Sequence, residues 1–438
     1  MKQIKKDERT DSQKFPNGMI RMAVLLLMSF LMLTGCGKSD RVPAGNDLVT
    51  MYTPSEMSET LPTVPEPSQE EPAGTEQSDL SEPAGTQVTA PDNTVRILMA
   101  GDILLHERVS DSGAMPDGTY NYDHLFANLK QEISSADLAL VNQEVILGGR
   151  EIGLSGYPSF NGAYEVGDAL AEAGFDVVLH ATNHALDRGK KGLLNCISYW
   201  KTNHPEMGVL GIQESEEEQE SIYVKEVNGI RIAILNYTYG TNGIPLPSDM
   251  PFAVNLLNKT QVAADVIKAR SVAEFIIVCP HWGTEYIYGI SDYQREWAEY
   301  FASLGVNLVL GTHPHVIEPV EWVGGENGNG GTLVYYSIGN FINATNENGS
   351  GVGGRMLGAL AEVTIRRNSD GSVSIADYGV LPTVTHIKTG AGQITTYKLQ
   401  DYTETLAGEN EILKQDAGFS YQYCVKLCRE VFGELYMK

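Results

Sequence analysis

Five short segments concentrate the residues of this chain that could do chemistry. "GDILLH" carries Asp102 and His106, "NQE" carries Asn142 and Glu144, and "TNHALD" carries Asn183, His184 and Asp187. "HWGTEY" carries His281 and Glu285, and "GTHPH" carries His313 and His315. Carboxylates, an amide and several imidazoles form a mixed oxygen and nitrogen set suited to a pair of divalent transition metals. In an extended segment an i, i+2 pair points both side chains to one side. Pro314 disfavours the helical region for His313, so the last segment is expected to be extended with both imidazoles converging. Taken alone, that pair is equally compatible with a surface turn, and Asp102 alone with a turn residue after a strand.

What gives the segments weight is where they fall. Each follows directly on an apolar run that reads as a buried strand: 95–100, 138–141, 176–181, 275–280 and 306–310. In open α/β sheets, ligands bind outside the carboxyl ends of the strands. Further strands are expected at 231–238 and 332–338, and helices at 164–174, 191–203, 258–273 and 292–305. Two later runs flanking "SDG" read as a hairpin. Short β-rich runs alternating with amphipathic stretches indicate a layered α/β domain. The last fifty residues are less regular, with a helix expected near 421–436. The remaining histidines carry no motif: His180 lies inside an apolar strand and reads as a core residue, His124 as a helix-start or packing residue, and His204 and His386 lie beside turn signals. Asn340 in "YSIGNF" either positions the site or belongs to a tight turn.

The N-terminal part has another texture. Basic residues precede an apolar run from Met22 to Leu33, which has the length of a signal-peptide core and is short for a membrane span. It ends in "LTGC", which resembles a bacterial lipobox with Cys36 as the lipidated residue; an ordinary signal or anchor with an incidental cysteine is the alternative. Residues 37–93 are rich in Pro, Ser, Thr and Glu and repeat "EPAGT" at Glu71 and Glu82. Such a segment cannot bury enough apolar surface to offset its ordering entropy and reads as a disordered spacer. The expected organisation is a lipoprotein signal peptide (1–36), the spacer (37–93), a catalytic-type domain (94–390) and a C-terminal extension (391–438). The net charge is −25, and no basic stripe appears, which argues against nucleic acid as a partner. Cys196 and Cys279 read as small core residues. Cys424 and Cys428, at helical i, i+4 spacing, read as neighbours rather than a disulfide, so cysteine chemistry is not expected to carry function.

The blocks "AGDILLH", "LVNQE", "ATNHALDRG", "HWGTEY", "GTHPHVIEPVEW" and "YSIGNF", in this order between residues 95 and 341, resemble the CapA family. That family is linked to poly-γ-glutamate capsule synthesis and belongs to the metallo-dependent phosphatase (calcineurin-like) superfamily. The resemblance implies a four-layer α-β-β-α sandwich of the metallophosphatase type, here with a short C-terminal helical extension. It also implies two divalent metal ions (Mn, Zn or Fe) bridged by an acidic residue and a hydroxide. Carried onto this chain, the metal residues would be Asp102, Glu144 as the bridge, Asn183, His281, His313 and His315. His106 is a further candidate, four residues after Asp102 where the superfamily has Asp-x-His. His184, oriented by Asp187, would be the catalytic histidine, and Asn142, Glu285 and Asn340 are candidates for substrate contact. The expected setting is extracytoplasmic, anchored to the membrane through lipidated Cys36. Capsule synthesis or export proteins are candidate partners, and an anionic polymer or phosphoester the candidate substrate. A non-catalytic metal-stabilised scaffold and a lipoprotein binding an anionic ligand are the competing readings.

Overall fold

In the computed structural model the described residues are 93–325 and 330–437. The leader, Cys36 and nearly all of the spacer lie outside them. The chain enters through four strands of a first sheet: β1 (Thr94–Ile103), β2 (Leu138–Asn142), β3 (Val177–Leu179) and β4 (Gly208–Leu210). They are parallel and lie side by side in that order. It then builds a second sheet from β5 (Tyr223–Val227), β6 (Ile230–Thr238), β7 (Phe275–His281), β8 (Leu308–Leu310), β9 (Val320–Val323) and β10 (Thr332–Tyr335), in the order β5-β6-β7-β8-β10-β9. Its four inner strands are parallel, and the edge strands β5 and β9 run antiparallel. The chain returns to the first sheet through β11 (Asn340–Ile342), β12 (Leu357–Arg367), β13 (Val373–Ile387) and β14 (Ile394–Lys398).

Side-chain alternation assembles the layers. Val95, Ile97 and Met99 of β1 join an apolar cluster with Ile232 and Ile234 of β6 and Phe275 and Ile277 of β7, which fills the space between the sheets. Leu98 and Ala100, pointing the other way, pack in the cluster that includes Val166 and Leu170 of the helix Glu165–Ala173 and Leu193 of the helix Gly189–Asn203. Ile276 and Val278 of β7 likewise turn outward onto the helices Lys259–Val272 and Asp292–Ser303. Period-two alternation on doubly covered strands thus yields helix, sheet, sheet, helix. Helix starts follow local chemistry: Asn258 accepts from the Thr260 and Gln261 N–H groups, and Ser291 with Gln294 forms a capping box.

The seven strands, five helices and hairpin expected from the sequence all have counterparts. β4, β5, β9, β11 and β14 are additional short strands. In the part expected as a C-terminal extension, β14 pairs with β13 from Thr383 to Ile387. The helix Tyr421–Phe432 buries Cys424, Cys428 and Phe432 in the same cluster as Leu98. The C-terminal extension completes the first sheet and its outer layer. Cys196, Cys279, Cys424 and Cys428 are buried and free. Among the described residues, no helix is long and apolar enough to cross a membrane.

Candidate metal centre

The carboxyl ends of β1, β2, β3, β7 and β8 meet at one end of the sandwich. β1 is the pivot. It pairs with β12 as far as Ala100, then shifts at a bulge and pairs with β11, setting Asp102 opposite Asn340. The crossing requires a glycine, because a Cβ on Gly101 would lie 1.9 Å from the Gly339 carbonyl oxygen. His313 and His315 do converge, with ring centroids 5.7 Å apart, though not through an extended strand. β8 ends at Leu310, and both histidines adopt positive φ, 101° and 59°. Non-glycine residues held there cost about 1–3 kcal/mol each and are typical of functional sites. The His313 N–H donates to Asp102 Oδ2 at 3.1 Å, which fixes the turn against β1.

The site is almost dry. Asp102, Glu144, Asn183, His184, His281, His313 and His315 are between 0% and 6% exposed. Glu144 is at its centre. His281 Nε2 and His315 Nε2 each lie 3.6 Å from Glu144 Oε1, and His184 Nε2 lies 3.9 Å away. These separations are too long for hydrogen bonds. They suit ligand atoms that share an ion at about 2.1 Å each and therefore stand roughly 3–4 Å apart. Both Glu144 carboxylate oxygens and His313 Nδ1 are buried without a hydrogen-bond partner. A buried carboxylate left so requires a cation. Two groups have ligand atoms within 4.8 Å of one another, Asp102 with Glu144 and His281, and Glu144 with His313 and His315. Glu144 is common to both. The residues present therefore fit a divalent metal centre.

Electrostatics point the same way. Burial raises the Glu144 carboxyl, but the His315 and His281 imidazoles outweigh it and hold it well below the usual range. Burial opposes charge on His315 too, yet Glu144 and Asp102 push it up to about 9. Burial and the neighbouring His281 and His315 keep His313 well below its ordinary value. A proton on His315 thus balances carboxylate charge that a metal ion would otherwise neutralise.

A surrounding set of hydrogen bonds orients these groups. Thr312 Oγ1 lies 3.0 Å from His281 Nδ1, leaving Nε2 toward the centre, 2.8 Å from Asn183 Oδ1. Asp187 accepts the Phe160 N–H at 2.7 Å and lies 2.6 Å from His184 Nδ1, so His184 Nε2 faces Glu144. Thr182 donates to the Glu144 backbone carbonyl at 2.7 Å and accepts the His184 N–H at 3.2 Å, tying two blocks together. Thr182, Thr312 and Phe160 carry no chemical signature in sequence. Adjacency to Asn183 and His313 is the only cue for the two threonines.

Several expected positions differ. His106 belongs to neither cluster: it precedes the helix Glu107–Ser112, lies edge-on to Phe160 and lines a cavity with His315. Burial and the nearby His315 lower it to about 4. Asn142 and Asn340 are buried, and the Asn142 Oδ1 has no hydrogen-bond partner. Asn142 donates to Asp102 Oδ1 at 2.8 Å, and Asn340 lies 3.0 Å from His315 Nδ1 while donating to the His315 and Arg355 carbonyls. Both hold ligand-type residues in place, and Asn340 also lines a cavity beside His315. Glu285 is exposed. His180, as expected, is a core residue, with Trp200 Nε1 donating to its Nε2 at 3.0 Å. His386 is also buried, within β13.

Fold and site together define a four-layer α/β protein with a buried candidate metal centre at its converging strand ends. Residues 96–345, more than half of the chain, match the family described as "Bacterial capsule synthesis protein PGA_cap", and the chain belongs to that family. It is 30% identical over 183 residues to the "PGA biosynthesis protein CapA" of Bacillus subtilis (strain 168), covering 40% of this chain and 44% of that protein. It is 26% identical over 272 residues to the "Capsule biosynthesis protein CapA" of Bacillus anthracis, covering 59% and 63%. The chain thus matches about half of the length of these curated relatives. Among solved structures, a 5'-nucleotidase precursor from Thermus thermophilus is similar at 15% identity and a TM-score of 0.40, over 66% of this chain and 54% of that one. A putative 5'-nucleotidase from Staphylococcus aureus is similar at 14% identity and a TM-score of 0.41, over the same shares.

Proposed function

We propose that this chain is a surface-anchored, metal-dependent hydrolase of capsule polymer metabolism, cleaving an amide or phosphoester bond of an anionic substrate. The observation that carries this reading is Glu144, buried with both oxygens unpartnered and common to two ligand clusters. Asp102, Glu144, Asn183, His281, His313 and His315 would hold two divalent ions, of Mn, Zn or Fe. Bound there, such ions supply Lewis acidity, which makes water acidic enough to react near neutral pH and neutralises charge developing on substrate oxygens. The protein's own contribution is positional. Asp187 accepts the Nδ1 hydrogen of His184, so that a protonated His184 would give its Nε2 proton to the leaving group and keep the one on Nδ1, a role worth roughly 10²–10⁴-fold. Burial excludes bulk water and strengthens each of these interactions.

The apolar leader and "LTGC" support export and lipidation at Cys36, with residues 37–93 as a spacer from the membrane. Family membership supports partnership with capsule synthesis or export proteins. The test is a pair of variants assayed for metal content and for turnover of phosphoesters and γ-glutamyl oligomers. His184→Ala should keep metal and lose turnover, whereas His313→Ala should lose both. Equal metal content and equal turnover in the two variants would sink the assignment.

A further inference from the structure

Beside the candidate centre a cavity of about 230 Å³ opens, with His315 and Asn340 at one end and Arg355, Asn343 and Tyr286 around it. Arg355 lies in the turn Val352–Met356 and is 9% exposed, an uncommon place for a guanidinium. It is built in. Its backbone carbonyl accepts from Asn340 Nδ2 at 2.9 Å and from Asn343 Nδ2 at 3.3 Å, and Asn340 is the residue that orients His315. Its guanidinium carbon sits 3.4 Å from the centroid of the Tyr286 ring. Tyr286 adopts φ 64° and donates its N–H to the Pro314 carbonyl, so the platform under Arg355 is part of the histidine turn.

Two features of the cavity describe a ligand. Arg355 Nη2 pairs at 2.8 Å with Glu347 Oε2, a carboxylate that is 58% exposed. Only the Glu347 end of this pair stands in solvent, the Arg355 side chain being 11% exposed, so a ligand carboxylate can take the place of Glu347. Asn343 is 1% exposed, and its Oδ1 is buried without a partner. Its orientation is set because Nδ2 must face the Arg355 carbonyl, so Oδ1 awaits a donor. An anionic group for Arg355 and an adjacent N–H for Asn343 describe an acid carried next to an amide. A simple phosphomonoester has no such N–H.

We propose that Arg355 and Asn343 form an acid-and-amide subsite, with Arg355 the specificity-determining residue and Glu347 an internal carboxylate that competes for it. The proposal rests on the hydrolase reading for its place beside the chemistry, but binding tests it separately. The probes are a γ-linked glutamate tetramer, the same tetramer with its α-carboxylates converted to carboxamides, and phenyl phosphate. Each is titrated calorimetrically into the full chain after EDTA treatment and again after Mn²⁺ loading.

Arg355→Gln should weaken the acidic tetramer roughly ten- to a hundredfold, the range for a lost charge-assisted pair. Glu347→Gln should tighten it, up to about fivefold. The carboxamide tetramer should bind weakly and equally to all three proteins. Because Glu347 is exposed, its variant decides the matter should Arg355→Gln fail to fold. The proposal is overturned if a folded Arg355→Gln binds the tetramer as the parent does, if Glu347→Gln fails to tighten it, or if phenyl phosphate alone shows the Arg355 dependence. Absence of turnover with intact, Arg355-dependent binding would instead refute the hydrolase reading and leave the subsite standing.

Discussion

Gly101→Ala should damage fold and metal centre together, because this glycine is where β1 leaves β12 for β11. Its φ is not positive, so the requirement is for space rather than for backbone freedom. An alanine Cβ would stand 1.9 Å from the Gly339 oxygen. Relaxing to an ordinary contact of about 3.5 Å means moving one backbone by roughly 1.5 Å. That movement breaks the Asp102 N–H to Gly339 carbonyl hydrogen bond of 3.1 Å. Overpacking costs about 1–3 kcal/mol and the lost bond about 1 kcal/mol, together about 2–4 kcal/mol. For a domain of this size the melting temperature should fall by roughly 3–6 °C. Asp102 would move with the strand, and metal affinity should fall roughly ten- to a hundredfold, as when other support around ligands is lost. The control is Gly379→Ala, where a Cβ meets nothing within 4 Å. It should be neutral or mildly stabilising. Calorimetric melting and metal titration of both variants test the argument. A Gly101→Ala protein that melts and binds metal like its parent would refute it.

Further outcomes follow from named contacts. Thr312→Val keeps the shape beside His281 but removes its 3.0 Å partner at Nδ1, and metal affinity should fall roughly ten- to a hundredfold with melting little changed. Burial lowers His180 to about 3, so its contribution to stability is present above the unfolded value of 6.5 and is lost as pH falls from there toward 3. At about pH 4.5 the loss from His180 alone should be about 2–3 kcal/mol, read as the difference in urea-unfolding free energy between the parent and His180→Gln at the two pH values.

The strands that carry the site are legible because doubly buried strands read as apolar runs and end abruptly in polar residues. "FIIVCPHW" and "VNLVLGTHPH" show both features, and their histidines meet at Glu144. The extra strands are less so. β4 and β11 have three residues each, too few for a pattern, and β14 follows glycines that resemble a domain boundary. The backbone at His313 and His315 departs from the extended form for a physical reason. Proline statistics constrain the preceding residue toward extended backbone, but contacts with Asp102 and β11 override that preference. Arg355 sits in a glycine-rich stretch with no strand end to mark it, Asn343 follows the three-residue β11, and their relation to His315 exists only in three dimensions.

The central claim is that Glu144 is shared by two metal ions. Anomalous diffraction from crystals of the Mn²⁺-loaded chain tests it most directly. Two peaks are expected, one among Asp102, Glu144 and His281 and one among Glu144, His313 and His315. A single peak beside Glu144, or none, would contradict the account.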